Sequence, residues 1–110
     1  HLRHERFSLR AVLAEVQALI APQAAAKGLA FALRTSPEVA DARLGDAQRV
    51  RQVLLNLLGN AVKFTARGEV ALEVVPARDP ASADALRLCV RDTGPGMTAD
   101  QCARLFRRFE

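Results

Sequence analysis

Two segments of the sequence carry residue types at spacings that could do chemistry. In the first, Asn56, Asn60 and Lys63 recur on one side of a helical projection within QVLLNLLGNAVKF. In the second, Asp92 ends an alternating apolar segment and is followed by Thr-Gly-Pro-Gly. An asparagine oxygen is a hard, neutral ligand that suits Mg²⁺, an ion that takes few protein ligands and keeps phosphates and waters as the others. The first segment therefore contains a candidate cation site.

The first segment is predicted to be one helix from Asp46, a good N-cap, to Gly68, a good C-cap. Its polar residues fall in a stripe only about 80° wide at helical spacing, and they are Arg49, Gln52, Asn56, Asn60 and Lys63. A stripe this narrow on an otherwise apolar helix suggests the wall of a pocket. The alternative is an ordinary solvated face. Asparagine is a poor helix former in mid-helix. The presence of two asparagines therefore favours the pocket interpretation over the solvated face.

The second segment places a carboxylate next to a glycine-rich turn. Apolar residues alternate along 86–90, and Asp92 falls on their face, so its carboxylate is predicted to point between sheet and helices. A buried carboxylate is costly unless something hydrogen-bonds to it. The alternative is that the strand has ended and Asp92 caps the turn. Gly94 and Gly96 lack the side chains that would keep a flat ligand from the backbone.

Other elements must position these two segments. A helix is predicted from Ser8 to about Gly28, kinked or ended early by Pro22. Strands are predicted at 29–34, 39–44 and 70–75, and residues 76–84 are predicted to form a loop. Thr98 is expected to cap a last helix, with Gln101 completing a capping box. Its apolar face would carry Cys102, Leu105, Phe106 and Phe109.

Composition limits the class of protein. The 110 residues are enough for one domain, and half are apolar and a quarter charged, as in a globular protein. No apolar run is long enough to cross a bilayer and no secretory signal is present, so a cytoplasmic location is expected. The net charge of +4 comes without a basic block, which argues against a nucleic-acid partner. Cys89 and Cys102 lack metal-ligand spacing and are expected to be reduced and buried.

Three boxes resemble the catalytic ATP-binding domain of sensor histidine kinases. NLLGNAVKFT resembles its N box, VRDTGPGM its first glycine box and LFRRFE its F box, and their order also matches. The resemblance implies an α+β fold, a two-layer sandwich of the Bergerat type shared with gyrase, the ninety-kilodalton heat-shock chaperones and the mismatch-repair ATPases. It implies a mixed, mostly antiparallel sheet with helices on one face. Residues 1–7 would be a linker from an upstream dimerisation domain, and residues 8–110 a C-terminally incomplete ATP-binding domain.

The resemblance also implies roles for the residues around an adenine ring. Asp92 would accept a hydrogen bond from the adenine amino group, and Gly94 and Gly96 would let the backbone approach the purine. Met97 would lie against its apolar rim and Phe64 beside the base. The family pattern places Phe106 and Phe109 at the base of a mobile lid.

At the phosphate end, the resemblance implies three catalytic residues. Asn60 would hold the Mg²⁺ that bridges the phosphates, while Asn56 and Lys63 would contact the phosphate side. Hydrolytic members of the superfamily carry Glu where Asn56 stands, because attack by water needs a general base. Asparagine cannot take that proton, so a third interpretation, a hydrolytic ATPase, is disfavoured.

The implied function is transfer of the γ-phosphate of Mg·ATP to a histidine on a separate helical-hairpin dimerisation domain of the same parent chain. Positioning and charge neutralisation would supply the catalysis. The implied partners are that domain and a downstream response regulator, in a homodimeric parent that belongs to a two-component phosphorelay. The alternative is a nucleotide-sensing or protein-interaction module of the same fold that transfers no phosphate.

Two features depart from the family pattern. The second glycine box, which supplies backbone N–H groups to the phosphates at a helix N-terminus, is not among these 110 residues. The fragment alone is therefore expected to bind nucleotide weakly and to be inactive. His4-Glu5 resembles the start of the family's acceptor box but lacks its continuation, so we interpret His4 as a linker histidine.

Overall fold

The computed structural model describes residues 5–77 and 86–91 with their side chains, and the backbone of residues 92–94 and 97–105. The chain forms, in order, β1 (Glu5–Ser8), α1 (Leu9–Ala26), β2 (Ala30–Thr35), β3 (Ala42–Gly45), α2 (Ala47–Phe64), β4 (Glu69–Pro76), β5 (Leu86–Gly94) and β6 (Met97–Leu105).

A four-stranded sheet and the two helices form the body of the domain. Its strand order is β2-β4-β5-β6, with β2 and β4 parallel and the other pairs antiparallel. A separate antiparallel pair joins β1 to β3. Both helices contribute to one apolar core with the sheet, and α2 contacts β4 and β5. The predicted two-layer sandwich with a mixed, mostly antiparallel sheet is confirmed.

The two faces of the sheet differ in chemistry because side chains alternate along each strand. Toward the helices, Val70, Leu72 and Leu88 are fully buried. On the other face, Arg34 forms ion pairs with Glu69 and Glu73, each at 3.9 Å. Arg91 also pairs with Glu73, at 3.2 Å. Among the residues that the structure describes, this helix-free face carries charged side chains that pair with one another.

The first helix begins as predicted, with Ser8 as its N-cap. The backbone N–H of Ala11 donates to Ser8 Oγ at 3.2 Å, and the Ser8 hydroxyl donates to Asp41 at 2.9 Å. The backbone N–H of Arg10 donates to Asp41 Oδ1 at 2.7 Å, and this bond, followed by the one from Ser8, lowers the pKa of Asp41. The Asp41 carboxylate therefore completes the cap of α1 from a distant part of the chain.

Pro22 lies inside α1, which continues to Ala26, close to the predicted end near Gly28; of the two predicted effects of Pro22, a kink or an early end, the early end is wrong. A proline in a helix interior costs roughly 3 kcal/mol. The helix continues because Val16, Ile20 and Ala24, on both sides of the proline, are buried in the core. Packing outweighs the local preference here.

The N-cap of α2 is confirmed, but its predicted end is one turn too late. The Asp46 side chain accepts from the backbone N–H of Arg49 at 3.1 Å. The helix ends at Phe64, with Thr65 as an extended C-cap. Gly68 adopts a φ of 109° in the turn before β4, and its carbonyl accepts from the N–H of Ala30 at 3.0 Å. Gly68 is used for that turn instead of the helix end.

The strand predicted at 39–44 forms as β3 but covers only Ala42–Gly45, and it pairs with the beginning of the described chain. Glu5 lies opposite Gly45 and Ser8 opposite Ala42. Residues 5–7 of the predicted linker are thus paired with the domain. The boundary between linker and domain stays a prediction.

The helix predicted from Thr98 is wrong, because residues Met97–Leu105 form β6. This strand pairs with β5 along its whole length, from Gly94 opposite Met97 to Leu86 opposite Leu105. A helix cap is worth about 1 kcal/mol, whereas a full strand pair supplies partners for the backbone groups of both strands. Long-range pairing outweighs the local capping signal.

The expectation of reduced cysteines is also wrong for Cys89, which is disulfide-bonded and mostly buried. The β5–β6 register places Cys89 directly opposite Cys102, the second of the chain's two cysteines. Residues directly opposite in an antiparallel pair have Cβ atoms roughly 4.5–5.5 Å apart, near the separation that a disulfide needs. The cysteines are thirteen positions apart in the chain, so spacing alone did not indicate this juxtaposition.

Candidate functional site

The polar stripe of α2 lies on the side of the helix that faces away from the sheet. Asn56, Asn60 and Lys63 are all exposed, while Leu54 and Leu58 on the opposite side are fully buried. The structure therefore brings the three residues predicted for the phosphate end together on one accessible helix face. Such a face is open to a ligand, but the same exposure also fits the solvated-face alternative, so their roles stay predictions.

Phe64 continues this face at the C-terminal end of α2. Its side chain is 75% exposed, although it is the kind of side chain that a protein usually buries. Lys63 Nζ lies 5.3 Å from the centroid of its ring, within cation–π distance. An exposed aromatic ring next to a lysine offers a stacking surface beside a positive charge.

A shallow groove extends the stripe toward the N-terminal end of α2. It has a volume of about 320 Å³ and is lined by Gln48, Arg51, Gln52, Leu55 and Asn56. Arg51 also donates to Glu15 of α1 at 3.0 Å. Of the lining residues, the sequence reasoning identified Asn56 as a site residue and Gln52 as part of the stripe, and it missed the rest. The spacing of Gln48, Gln52 and Asn56 by four residues was the available signal.

At the other predicted end of the site, the backbone register gives the position of Asp92. It lies opposite Val70 of β4, whose side chain is fully buried in the core. Directly opposite residues of an antiparallel pair share a face of the sheet, so Asp92 occupies a register position on the face that α2 covers. Its side-chain contacts lie outside the described residues, and its role stays a prediction.

The remaining predicted base-end residues lie wholly or partly outside the described residues. Gly94 ends β5 and Met97 begins β6, where the two are paired. The side chain of Met97 is not among those described, and Gly96 and Phe106 fall outside the described residues. Their predicted contacts with a purine stay predictions.

The C-terminal end of α2 is held by a residue that the sequence reasoning missed. Lys27, just after α1, donates from Nζ to the carbonyl of Val62 at 2.7 Å and to the carbonyl of Lys63 at 3.0 Å. The N–H of Thr65 donates to the carbonyl of Ala61 at 3.0 Å. The orphan carbonyls at a helix C-terminus need such partners. No local pattern links Lys27 to α2, because these bonds span 35 and 36 residues.

The chemistry of the donors is suited to a cation that arrives with its ligand. Among the side chains that the structure describes, no cluster of three His, Cys, Asp or Glu residues could hold a metal ion. The exposed stripe supplies amide oxygens, from Asn56 and Asn60. Mg²⁺ typically binds through few protein ligands plus substrate phosphates, so this donor set fits Mg²⁺ carried by a phosphate-bearing ligand.

In the part of the chain that the structure describes, neither helix has the length and apolar character needed to cross a membrane.

Comparison with proteins of known sequence gives consistent matches. The chain is 44% identical over 105 residues to the sensory/regulatory protein RpfC of Xanthomonas campestris and 44% identical over 103 residues to the sensor histidine kinase AruS of Pseudomonas aeruginosa. It is 36% identical over 103 residues to the histidine-protein kinase BarA of Escherichia coli. Each match covers 94% of this chain, but only 14%, 10% and 11% of RpfC, AruS and BarA, respectively.

Comparison with solved structures agrees on the fold. The catalytic domain of histidine kinase ThkA superposes with a TM-score of 0.68 at 26% identity, covering 86% of this chain and 62% of that one. Full-length ShkA in complex with AMPPNP gives a TM-score of 0.73 at 36% identity, covering 88% of this chain and 20% of that one. A further ThkA structure is a complex with the response regulator protein TrrA.

A family profile matches most of the chain, including both segments that carry the candidate site. The profile describes histidine kinase-, DNA gyrase B- and HSP90-like ATPases, and it matches residues 45–110. The matched range begins at the last residue of β3 and contains all of α2 and β4. The chain therefore belongs to this ATPase family, and its sequence is similar to the corresponding region of sensor histidine kinases.

Proposed function

We propose that this domain binds Mg·ATP along the exposed stripe of α2 and presents the γ-phosphate to a histidine on another domain of its parent chain. The observation that carries the proposal is the grouping of Asn56, Asn60 and Lys63 on one accessible helix face, next to the exposed ring of Phe64. The family match over residues 45–110 and the AMPPNP complex of ShkA support a nucleotide as the ligand.

At the phosphate end, each residue of the stripe has a chemically suited task. The amide oxygen of Asn60 would hold Mg²⁺, and the Lys63 ammonium would contact phosphate oxygens. Asn56 would orient the phosphate chain. The ion, when bound, supplies neutralisation of the charge that builds up on the transferring phosphoryl group. These residues bind and orient, which is the main contribution that proteins make to phosphoryl transfer.

At the base end, Asp92 would select adenine and Phe64 would pack beside it. A carboxylate accepts hydrogen bonds only, so it pairs with the amino group of adenine and opposes the carbonyl that guanine carries at that position. Asp92 lies opposite Val70 in the β4–β5 register, on the face of the sheet that α2 covers. The exposed ring of Phe64 supplies an apolar surface at the end of the same helix.

The stripe contains no group that could activate water. Its residues are Arg49, Gln52, Asn56, Asn60 and Lys63, and none of them is a carboxylate or a histidine. A general base must accept a proton near neutral pH, which an asparagine amide cannot do. We therefore propose transfer to a protein nucleophile rather than hydrolysis.

The partners follow from this reaction. The nucleophile would be a histidine on the dimerisation domain of the same parent chain, acting within a homodimer, and the phosphoryl group would pass to a response regulator. The complex of ThkA with TrrA supports such a partner. We place the domain in the cytoplasm, because its nucleotide substrate is found there.

Titration of the full-length protein with ATP, with and without Mg²⁺, tests the site. Asn60→Ala should weaken the Mg²⁺-dependent part of ATP binding more than the binding of adenosine. Asp92→Asn should reduce the preference for ATP over GTP, because the new amide presents a donor where an acceptor is needed. Gln17→Ala, at an exposed glutamine of α1 away from the stripe and its groove, is the matched control. Unchanged ATP affinity in both site variants would remove the assignment.

Detection of phosphohistidine separates kinase from sensor. Incubation of the full-length protein with Mg·ATP labelled at the γ-phosphate should give an acid-labile, base-stable label on the protein. Binding of ATP without any label would favour the nucleotide-sensing alternative. Steady release of free phosphate from a variant that lacks the acceptor histidine would instead indicate a hydrolytic ATPase.

A further inference from the structure

Lys27 closes the C-terminal ends of both helices. Its backbone N–H donates to the carbonyl of Ala24 at 3.0 Å, at the end of α1. Its ammonium group donates to the carbonyls of Val62 and Lys63, in the last turn of α2, at 2.7 and 3.0 Å. Gly28 follows with a φ of 75°, and the chain then turns into β2. One residue therefore fixes the end of α2 against the end of α1.

The last turn of α2 is an unfavourable place for a triphosphate unless its charge is offset. The C-terminus of an α-helix carries unpaired carbonyls and a partial charge of roughly −0.5. Asn60, Lys63 and Phe64, which we propose to contact the nucleotide, all lie in the last turns of α2. Phosphate oxygens near these residues would be repelled by the partial negative charge at the C-terminal end of the helix. A fixed cation on the carbonyls would reduce that repulsion.

The side chain of Lys63 does not have this role in the structure. Its Nζ lies over the ring of Phe64, at 5.3 Å from the centroid, and its side chain is exposed. Lys27 is the other lysine of the chain, and its Nζ bonds directly to the α2 carbonyls. The two lysines therefore have different positions. Lys63 lies on the accessible face of α2, and Lys27 bonds to the carbonyls at the C-terminal end of the same helix.

We infer that Lys27 is a positioning residue of the ATP site, which orients the last turn of α2 and offsets its negative end where Asn60 and Lys63 meet the phosphates. The inference rests on the proposed function. It predicts that the loss of Lys27 affects ligands according to their phosphate charge, and not simply according to how well the domain is folded.

The test compares ATP with adenosine in the full-length protein. Lys27→Gln keeps a hydrogen-bond donor but removes the charge, and it should weaken Mg·ATP binding about fivefold, as the loss of one favourable charge at a helix terminus would. Adenosine affinity should not change, because adenosine carries no phosphate. Lys27→Arg, which keeps the charge, should bind ATP with the wild-type affinity. The loss should shrink as salt is raised, because screening weakens the charge effect.

Two controls distinguish an effect of charge on ATP binding from a loss of folded structure. Arg34→Met removes one positive charge from the helix-free face of the sheet, where its ion pairs are long, and it should leave ATP affinity unchanged. Circular dichroism at the assay temperature identifies any Lys27 variant that is not folded. Lys27→Arg retains both charge and donors, so its ratio of ATP to adenosine affinity remains measurable if Lys27→Gln unfolds, and that ratio should match the wild-type ratio.

Several other results would overturn the inference. Equal losses of ATP and adenosine affinity in a folded Lys27→Gln protein, or no loss of either, would overturn the inference while leaving the proposed function in place. A shifted affinity ratio in a folded Lys27→Arg protein would also overturn it. Failure of the wild-type protein to bind ATP at all would overturn the proposed function and this inference together.

Discussion

The two faces of α2 differ in burial and in role. Toward the sheet, Val50, Leu54 and Leu58 are at most 1% exposed and belong to the central core. On the opposite side, Asn56 and Asn60 are exposed. The first face stabilises the fold and the second is available to a ligand. Substitutions on the two faces should therefore separate stability from nucleotide binding.

The largest expected effect comes from the buried face. Leu58→Ala should lower the free energy of unfolding by about 2–5 kcal/mol, because it removes buried methyl groups and leaves a cavity. Urea denaturation followed by circular dichroism measures this change. Leu19→Ala on α1 is the matched control, since Leu19 is 52% exposed and its truncation should cost little. Similar losses of unfolding free energy at both positions would contradict the proposed difference between buried and exposed helix faces.

The opposite face should show the reverse behaviour. Asn56→Ala should weaken Mg·ATP binding by about tenfold if a hydrogen bond to a charged phosphate is lost. The same change should stabilise the helix by up to about 0.7 kcal/mol, because alanine is the better helix former. Isothermal titration calorimetry and urea denaturation of the same samples measure both quantities. A variant that is destabilised and binds normally would show that Asn56 serves the fold.

A smaller effect is expected at the boundary between the faces. Arg51 donates to Glu15 at 3.0 Å, but the Arg51 and Glu15 side chains are 29% and 55% exposed. An ion pair this accessible is worth about 0.5 kcal/mol and is screened by salt. Glu15→Gln should therefore lower stability slightly at low salt and hardly at all at high salt. A large, salt-independent loss would indicate that the pair belongs to the structural face.

The smallest effect concerns a charge outside α2. Bonds from Arg10 N–H and the Ser8 hydroxyl lower the pKa of Asp41 below the ordinary value of 3.8. A carboxylate whose folded pKa is lowered adds stability above its unfolded pKa, and that stability is lost as the pH falls through the folded pKa. The stability difference between wild type and Asp41→Asn should thus be present at pH 7 and shrink below about pH 4. Thermal unfolding across this range measures it, and a constant difference would contradict the mechanism.

Local patterns were sufficient for the parts of the fold that depend on neighbouring residues. The N-caps at Ser8 and Asp46 form as predicted, because capping involves residues only three positions apart. The alternation of strand residues also predicted the face of the sheet on which Asp92 lies. Periodicity placed Asn56, Asn60 and Lys63 together, but it did not distinguish a pocket wall from a solvated face.

Long-range contacts account for what the sequence did not reveal. The end of α2 is held by Lys27, and the cap of α1 is completed by Asp41, both more than 30 residues away. The strand at Met97–Leu105 depends on pairing with β5, which overrides the capping signal at Thr98. Pro22 remains helical because the residues around it are buried. In each case the deciding partner is distant in the chain, where single-sequence patterns carry no information.

The pairing of β1 with β3 has a mechanical consequence. Four residue pairs join Glu5–Ser8 to Ala42–Gly45, and the next residue, Asp46, caps the helix that carries the candidate site. A pull or twist applied at residue 5 therefore reaches the start of that helix through a short hydrogen-bonded ribbon, without passing through α1 and β2. Glu5–Ser8 and the start of α2 are therefore directly linked through this strand pair.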